Sequence, residues 1–210
     1  MRNYTVLFEN QDIIAIIKPC GVAVQGGAGI SNPLIDDIDR IYSKKHFLIH
    51  RLDKDTEGIL IVGKTSTAAA KYSKILNSPE TKKEYIALVS GNVESSSGII
   101  KIPLEKDGRL VNAVSKYKVL EKKSDFTKLA VSIETGRMHQ IRIHMAKAGH
   151  PIIGDDKYGN FKLNKELKKN MGVKKLMLAA IKLELYISPA EKKIFTCPVP
   201  EHILSFWNKL

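Results

Sequence analysis

Three stretches of this chain gather residue types that can do chemistry. His50-Arg51-Leu52-Asp53 places an imidazole, a guanidinium and a carboxylate within four positions. A polar turn through Thr56 and Gly58 follows, and then the apolar run Ile59–Val62, closed by Gly63. A run of that length reads as a short buried strand. The polar half therefore sits at the head of a core strand, where a rigid element can hold a carboxylate at a surface. Such a carboxylate can attack as a nucleophile, abstract a proton, or stabilise developing positive charge. The second stretch, Thr81–Ser90 ended by Gly91, reads as a strand carrying Tyr85, which taken alone is a half-buried packing residue. The third runs from Glu134 to Gly159. It predicts a strand, a Thr135-Gly136 turn and a helix from about Met138 to Ala148, stopped by Gly149 at its C-cap and barred by Pro151. On that helix His139, Arg142, Ile143 and Ala146 fall on one face at i, i+3, i+4 and i+7. A cation among apolar residues calls for a partner, because an unpaired buried charge is costly. The guanidinium fork of Arg142 suits a carboxylate, and Asp53 is the expected one.

The elements that must position these groups are legible in the rest of the 210 residues. Val6–Phe8, the turn Glu9–Asp12 and Ile13–Ile17 form a hairpin ended by Pro19 and Gly21. The glycine cluster Gln25–Gly29 matches neither nucleotide-binding fingerprint and reads as a connecting loop. Pro33 starts a helix that continues to about Tyr42. Thr65 caps a helix over Ser66–Leu76, closed by Asn77-Ser78-Pro79. From Asn92 to Ser115, Gly98, Pro103 and Gly108 punctuate loops with short extended pieces. Lys116–Leu120 and Lys128–Ile133 alternate as antiparallel strands about a Lys122–Asp125 turn. Leu163–Lys169 is a short basic surface helix, Lys175–Tyr186 a strand, and His202–Leu210 a terminal helix.

Composition narrows the partners. Hydrophobic content of 43% with 27% charged residues is that of a globular protein. Lys and Arg total 34 against 22 Asp and Glu, a net charge of +12, which favours a polyanion. Lysines greatly outnumber arginines. They make a general field, while Arg51, Arg137 and Arg142 are the candidates for specific contacts. Cys20 and Cys197 stand far apart, which argues against a disulfide framework or a cysteine zinc site and for a reducing, cytoplasmic setting. No apolar h-region opens the chain, and no apolar run approaches the roughly 18 residues of a membrane span.

The same three stretches resemble the RluA-type pseudouridine synthases, which isomerise uridine within RNA. HRLDKDTEGILIVGK is similar to the family's HRLD-x-x-T-x-G signature, with Glu57 where the family usually has Ser. Lys83–Gly91 resembles K-x-Y-x-A-x-V-x-G. Thr135–Gly159 matches TGR-x-HQIR-x-H-x(4)-G-x-PI-x-GD-x-x-YG through its length. LFENQDIIAIIKPCGVAVQGG looks like the family's N-terminal stretch, whose hairpin ends in a lysine-proline pair. A family Leu-His-Ala is replaced near Leu178-Ala179, so no role falls on a histidine there.

The resemblance implies an α+β fold with a mixed, largely antiparallel sheet, flanking helices and an active-site cleft. It implies one catalytic domain over residues 1–210, without the small RNA-binding S4 domain of many relatives. Asp53, Tyr85 and Arg142 are then the catalytic set, with Tyr85 stacking on the target uracil. Arg51, His50, Arg137, His139 and Gln140 meet RNA. A base inside folded RNA must be flipped out. Arg51 would fill the gap or contact a phosphate, and His50 would fix its loop by hydrogen bonding. The isomerisation involves no redox change, so no cofactor and no metal are expected, and the protein is expected to be a monomer. Large-subunit ribosomal RNA is the favoured substrate and transfer RNA the alternative.

Other readings are weaker. Asp53 and Asp55 could serve as a glycosidase pair, but nothing else suggests a sugar cleft. His139 and His144, five residues apart, do not form a metal-hydrolase motif. A non-catalytic RNA-binding or chaperone protein on the same scaffold would not need Asp53, Tyr85 and Arg142 together.

Overall fold

Apolar runs too short for helices become strands, and among the described residues half of the strand pairings join neighbours in sequence. The computed structural model describes residues 2–188 and 191–210. In chain order the elements are β1 (Val6–Glu9), β2 (Ile13–Lys18), α1 (Leu34–Tyr42), β3 (Phe47–Leu48), β4 (Glu57–Gly63), α2 (Ser66–Leu76), β5 (Lys82–Ser90), β6 (Ser97–Lys101), β7 (Leu104–Lys106), β8 (Arg109–Val111), β9 (Val114–Lys123), β10 (Phe126–Ile133), α3 (Gln140–Lys147), α4 (Phe161–Met171), β11 (Leu178–Ser188), β12 (Glu191–Thr196) and α5 (Glu201–Lys209). The α+β class is as expected. The chain forms two compact units, one of residues 1–82 with Ala180–Pro198, the other of Lys83–Ala179 with Val199–Leu210.

In the first unit the strands run β1-β2-β4-β11, with β12 on β11 and β3 on β4. The β1–β2 hairpin and the β2–β4 pair are antiparallel, Ile14 opposite Val62 and Ile16 opposite Leu60. Both faces of β4 are buried, which is why its sequence is continuously apolar rather than alternating. One face meets α2 through Ala69, Tyr72 and Leu76, with Ile59, Ile61, Ile13, Leu183 and Phe195 in the same core. The Thr65 side chain caps α2 by accepting from the Ala68 amide at 3.1 Å. Gly58 has φ +129°, and a Cβ there would lie 2.1 Å from the Ala180 carbonyl oxygen. Only glycine lets β11 approach the head of β4 this closely.

In the second unit β5, β10, β9 and β6 form consecutive antiparallel neighbours. The β9–β10 hairpin is longer than predicted. Its strands reach Lys123 and restart at Phe126, leaving Ser124-Asp125 as the turn, with Ser124 left-handed at φ 50°. Residues 97–111, read as loops with extended pieces, hold three strands, because β9 offers an edge to β6 and β7 pairs with β8. Beyond β5, the Leu88 amide donates to Met177, Ile153 donates to Leu88, and Met177 donates to Ile153, at 2.9–3.0 Å. These bonds fix the Ile152–Asp155 segment against β5.

The third helix corrects the sequence reading. It starts at Gln140, not Met138, and His139 precedes it as a left-handed N-cap at φ 53°. The reason is the Gln140 side chain. Its Oε1 accepts from the Thr135 hydroxyl at 2.6 Å and the Arg137 amide at 3.2 Å, closing the turn before a helix can begin. His139 therefore does not share a helical face with Arg142, Ile143 and Ala146. At the other end Ala148 is the C-cap and Gly149, at φ 85°, follows it.

Candidate active site

The candidate residues are held locally in each unit. In the first, Asp53 opens a turn in which the Thr56 amide donates to the Asp53 carbonyl at 3.2 Å. Asp53 is half-buried, Arg51 exposed, and Leu52 and Thr56 buried on either side. Two anchors fasten this turn. His50 Nε2 accepts from the Ile61 amide of β4 at 2.9 Å, which requires the tautomer protonated on Nδ1. Lys18, at the end of β2, is fully buried and its ammonium donates to the carbonyls of Pro19, Val22 and Lys54, each at 2.9 Å. The Lys54 carbonyl also accepts from the Gly21 amide at 2.9 Å. Burial lowers the Lys18 pKa to about 8, against the opposing charges of Cys20, Asp55, Glu57 and Asp53. The ammonium thus lies within the field of the Asp53 carboxylate while gripping the next residue's backbone. Glu57, the departure from the family signature, acts locally, its carboxylate accepting from the Cys20 amide at 3.3 Å.

In the second unit Tyr85 sits half-buried on β5 opposite Val131. Lys83, two residues earlier on the same strand face, is half-buried opposite Ile133, and desolvation lowers its pKa. Arg142 is buried on α3 and grips Asp155 bidentately, Nε to Oδ2 at 2.8 Å and Nη2 to Oδ1 at 2.7 Å. Nη2 also donates to the exposed Asp156 at 2.9 Å. Asp155 is fully buried and accepts further from the Lys157 and Tyr158 amides, each at 2.9 Å. Burial alone would raise its pKa. The Arg142 fork and the two amides outweigh burial and hold the carboxyl below its ordinary value. The Tyr158 ring lies 5.4 Å from the Arg142 guanidinium and meets His139 edge-on at 5.6 Å, with Nδ1 of His139 3.1 Å from the phenol oxygen. His139 and Arg142 are thus brought together through Tyr158 rather than along a helix.

Gln140 is buried and its polar atoms build the turn, its amide donating to the Val114 carbonyl at 2.9 Å and the Ser115 hydroxyl at 3.2 Å. Arg137, half-buried in the same turn, has an Nε that is buried without a hydrogen-bond partner among the described residues. His144 bonds the Ser115 hydroxyl and the Ile102 carbonyl, and burial lowers its pKa, so it is a neutral core histidine. No group of three or more His, Cys, Asp and Glu side chains among the described residues could hold a metal ion. No helix is long and apolar enough to cross a membrane, again among the described residues.

Sequence reasoning gave no role to Lys18, Asp155 or Tyr158, although all three lie in stretches that carry the family resemblance. A buried lysine on three carbonyls and a carboxylate spent on an arginine are tertiary facts. The signal available was a polar residue at a position the local element buries.

Comparison with known proteins gives one consistent answer. The family model described as RNA pseudouridylate synthase matches residues 12–147. Ribosomal large subunit pseudouridine synthase C of Haemophilus ducreyi is 33% identical over 98% of this chain and 68% of its own length. The enzyme of that name from Salmonella typhimurium is 34% identical over 93% of this chain and 66% of its own length. The chain spans about two thirds of these relatives or somewhat less. Among solved structures, human RNA pseudouridylate synthase domain containing 4 aligns with a TM-score of 0.81 at 24% identity, covering 98% of this chain and 92% of that one. Human RNA pseudouridylate synthase domain containing 1 aligns at 0.77 and 21%, covering 93% and 83%. These likenesses show the fold.

Proposed function

We propose a reaction from the premise that this chain belongs to the RNA pseudouridylate synthase family. It isomerises specific uridines of structured RNA to pseudouridine, and large-subunit ribosomal RNA is its substrate, as the names of its relatives suggest. The bond from base N1 to ribose C1′ breaks, and a bond from C5 to C1′ forms. C5 loses its hydrogen and N1 gains one, so atoms balance without a cofactor. Asp53 supplies the carboxylate, as nucleophile at C1′ or as base at C2′, and Arg142, held by Asp155, supplies the cation of the catalytic set. Tyr85 stacks on the extruded uracil and its phenol moves the proton. Arg51 and Arg137 meet the RNA. His50 and Gln140 act by positioning, the first on the Asp53 turn and the second on the turn that presents Arg137 and His139.

One observation carries this reading: the Asp53 turn is fastened by His50 to β4 and by Lys18 to β2. A preorganised carboxylate is what stabilising a charged transition state requires. The test is carbodiimide mapping of pseudouridine by primer extension on large-subunit ribosomal and transfer RNA transcripts treated with wild type or Asp53→Asn. A new stop in the ribosomal transcript with wild type alone is expected. A stop only in transfer RNA would overturn the substrate assignment.

A further inference from the structure

The basic helix α4 has an organisation that a merely solvated surface does not need. Its sequence, FKLNKELKKNM, holds four lysines and one glutamate. Leu167 is buried, and Leu163, Asn164 and Met171 are half-buried beside it on one side. At 100° per residue the opposite side presents Lys162, Lys165 and Lys169, with Phe161 and Lys168 towards one edge and Glu166 towards the other. From Lys157 to Lys175 the chain has seven lysines and that single acid. Elsewhere many lysines are neutralised: Lys64 by Glu9, Lys71 by Asp12, Lys116 by Glu134, Lys128 by Glu121, and Lys182 and Lys192 by Glu184. Among the described residues none of the four α4 lysines has an ion pair. Lys165 and Lys169, at i and i+4, repel one another, which weakens a helix unless an anion lies across them.

Two further features point to RNA. Phe161 is 62% exposed at the start of this face, an apolar ring beside lysines, which suits an unpaired base next to a phosphate backbone. The helix is also bolted to the loop that holds Arg142. The Asn164 side chain donates to the Asp155 carbonyl and accepts from the Gly154 amide, at 2.9 and 3.0 Å. Gly159 completes the joint, since a Cβ there would lie 2.2 Å from the Asp155 carbonyl oxygen.

We infer that the outer face of α4 is a docking surface for the phosphate backbone of the RNA substrate, outside the reacting nucleotide. This rests on the proposed RNA reaction but does not depend on turnover. Lysines rather than arginines make the contact sequence-independent, so it grips and orients while specificity is read elsewhere. The test is equilibrium binding to a mixed-sequence RNA duplex at several salt concentrations. Lys162, Lys165, Lys168 and Lys169 are changed together to Gln, which keeps helix propensity. A control of equal charge changes Lys71, Lys116, Lys192 and Lys193 to Gln. The α4 variant is expected to lower the slope of log K against log salt by about 3, and the control by less than 1. Phe161→Ser is expected to weaken binding about tenfold only when the duplex carries a single-stranded flank. Equal effects of the two quadruple variants would overturn the inference in favour of net charge alone. So would a loss confined to vesicles of anionic lipid. If wild type releases no tritium from uridine-labelled RNA yet the α4 slope change appears, the reaction fails and the docking surface stands.

Discussion

Lys18 shows how much one buried side chain can hold. Its three carbonyl partners include the residue after Asp53. Lys18→Met keeps the stem and removes the donors, taking this partner from the Pro19 and Val22 carbonyls at about 1–3 kcal/mol each, while the Lys54 carbonyl keeps the Gly21 amide. A loss of about 3 kcal/mol in urea unfolding is expected, and turnover should fall with the loosened turn. The pH dependence has a definite sign. The folded pKa, about 8, lies below the ordinary 10.5, so the unfolded chain binds more protons between those values. The contribution of Lys18 to stability is therefore lowest below pH 8 and rises as pH climbs towards 10.5, by about 3 kcal/mol in the limit. Unfolding of wild type relative to Lys18→Met, followed from pH 7 to 10.5, should show that rise. Arg142 and Asp155 are the other residue-scale pair. Asp155→Ala removes the bidentate carboxylate from a buried guanidinium and should destabilise by about 3–5 kcal/mol. Arg142→Met should reduce turnover more than tenfold, and turnover within a few-fold of wild type would remove Arg142 from the chemistry.

At the scale of elements, the head of β4 is the critical junction. Gly58→Val would drive a side chain into the Ala180 carbonyl at a left-handed position, and a loss of about 3 kcal/mol or more is expected in thermal unfolding. The elements that were legible in the sequence are those whose ends are set locally. α2 begins at the Thr65 cap and ends at Asn77, and the β1–β2 hairpin is written in its own apolar runs and turn. α3 was misplaced at its start because Gln140, a good helix residue, uses its side chain on Thr135, Arg137, Val114 and Ser115. No local pattern announces that. β6, legible only as a short extended piece, becomes a strand for a similar reason: its edge is completed by β9, 13 to 21 residues away, despite Gly98 within it. For the proposed site, the motifs pointed to Asp53, Tyr85 and Arg142. The supporting residues Lys18, Asp155 and Tyr158 became readable only when their partners came into place.

At the scale of the whole molecule, a net charge of +12 is a statement about association. Many lysines elsewhere are paired with acids, and among the described residues the four on α4 are not. Affinity for RNA should therefore fall steeply between 50 and 200 mM salt, by at least about a hundredfold, while kcat at saturating RNA changes little. Steady-state kinetics across that range would show it as a rise in KM. The central claim, that Asp53 drives isomerisation of uridine in RNA, is tested most directly by tritium release from RNA labelled at uridine C5, because forming the C5–C1′ bond must displace that hydrogen. Wild type should release tritium from large-subunit ribosomal RNA, and Asp53→Asn should release none while binding the RNA as tightly. Release by Asp53→Asn at the wild-type rate, or no release by wild type with tight binding intact, would contradict the account.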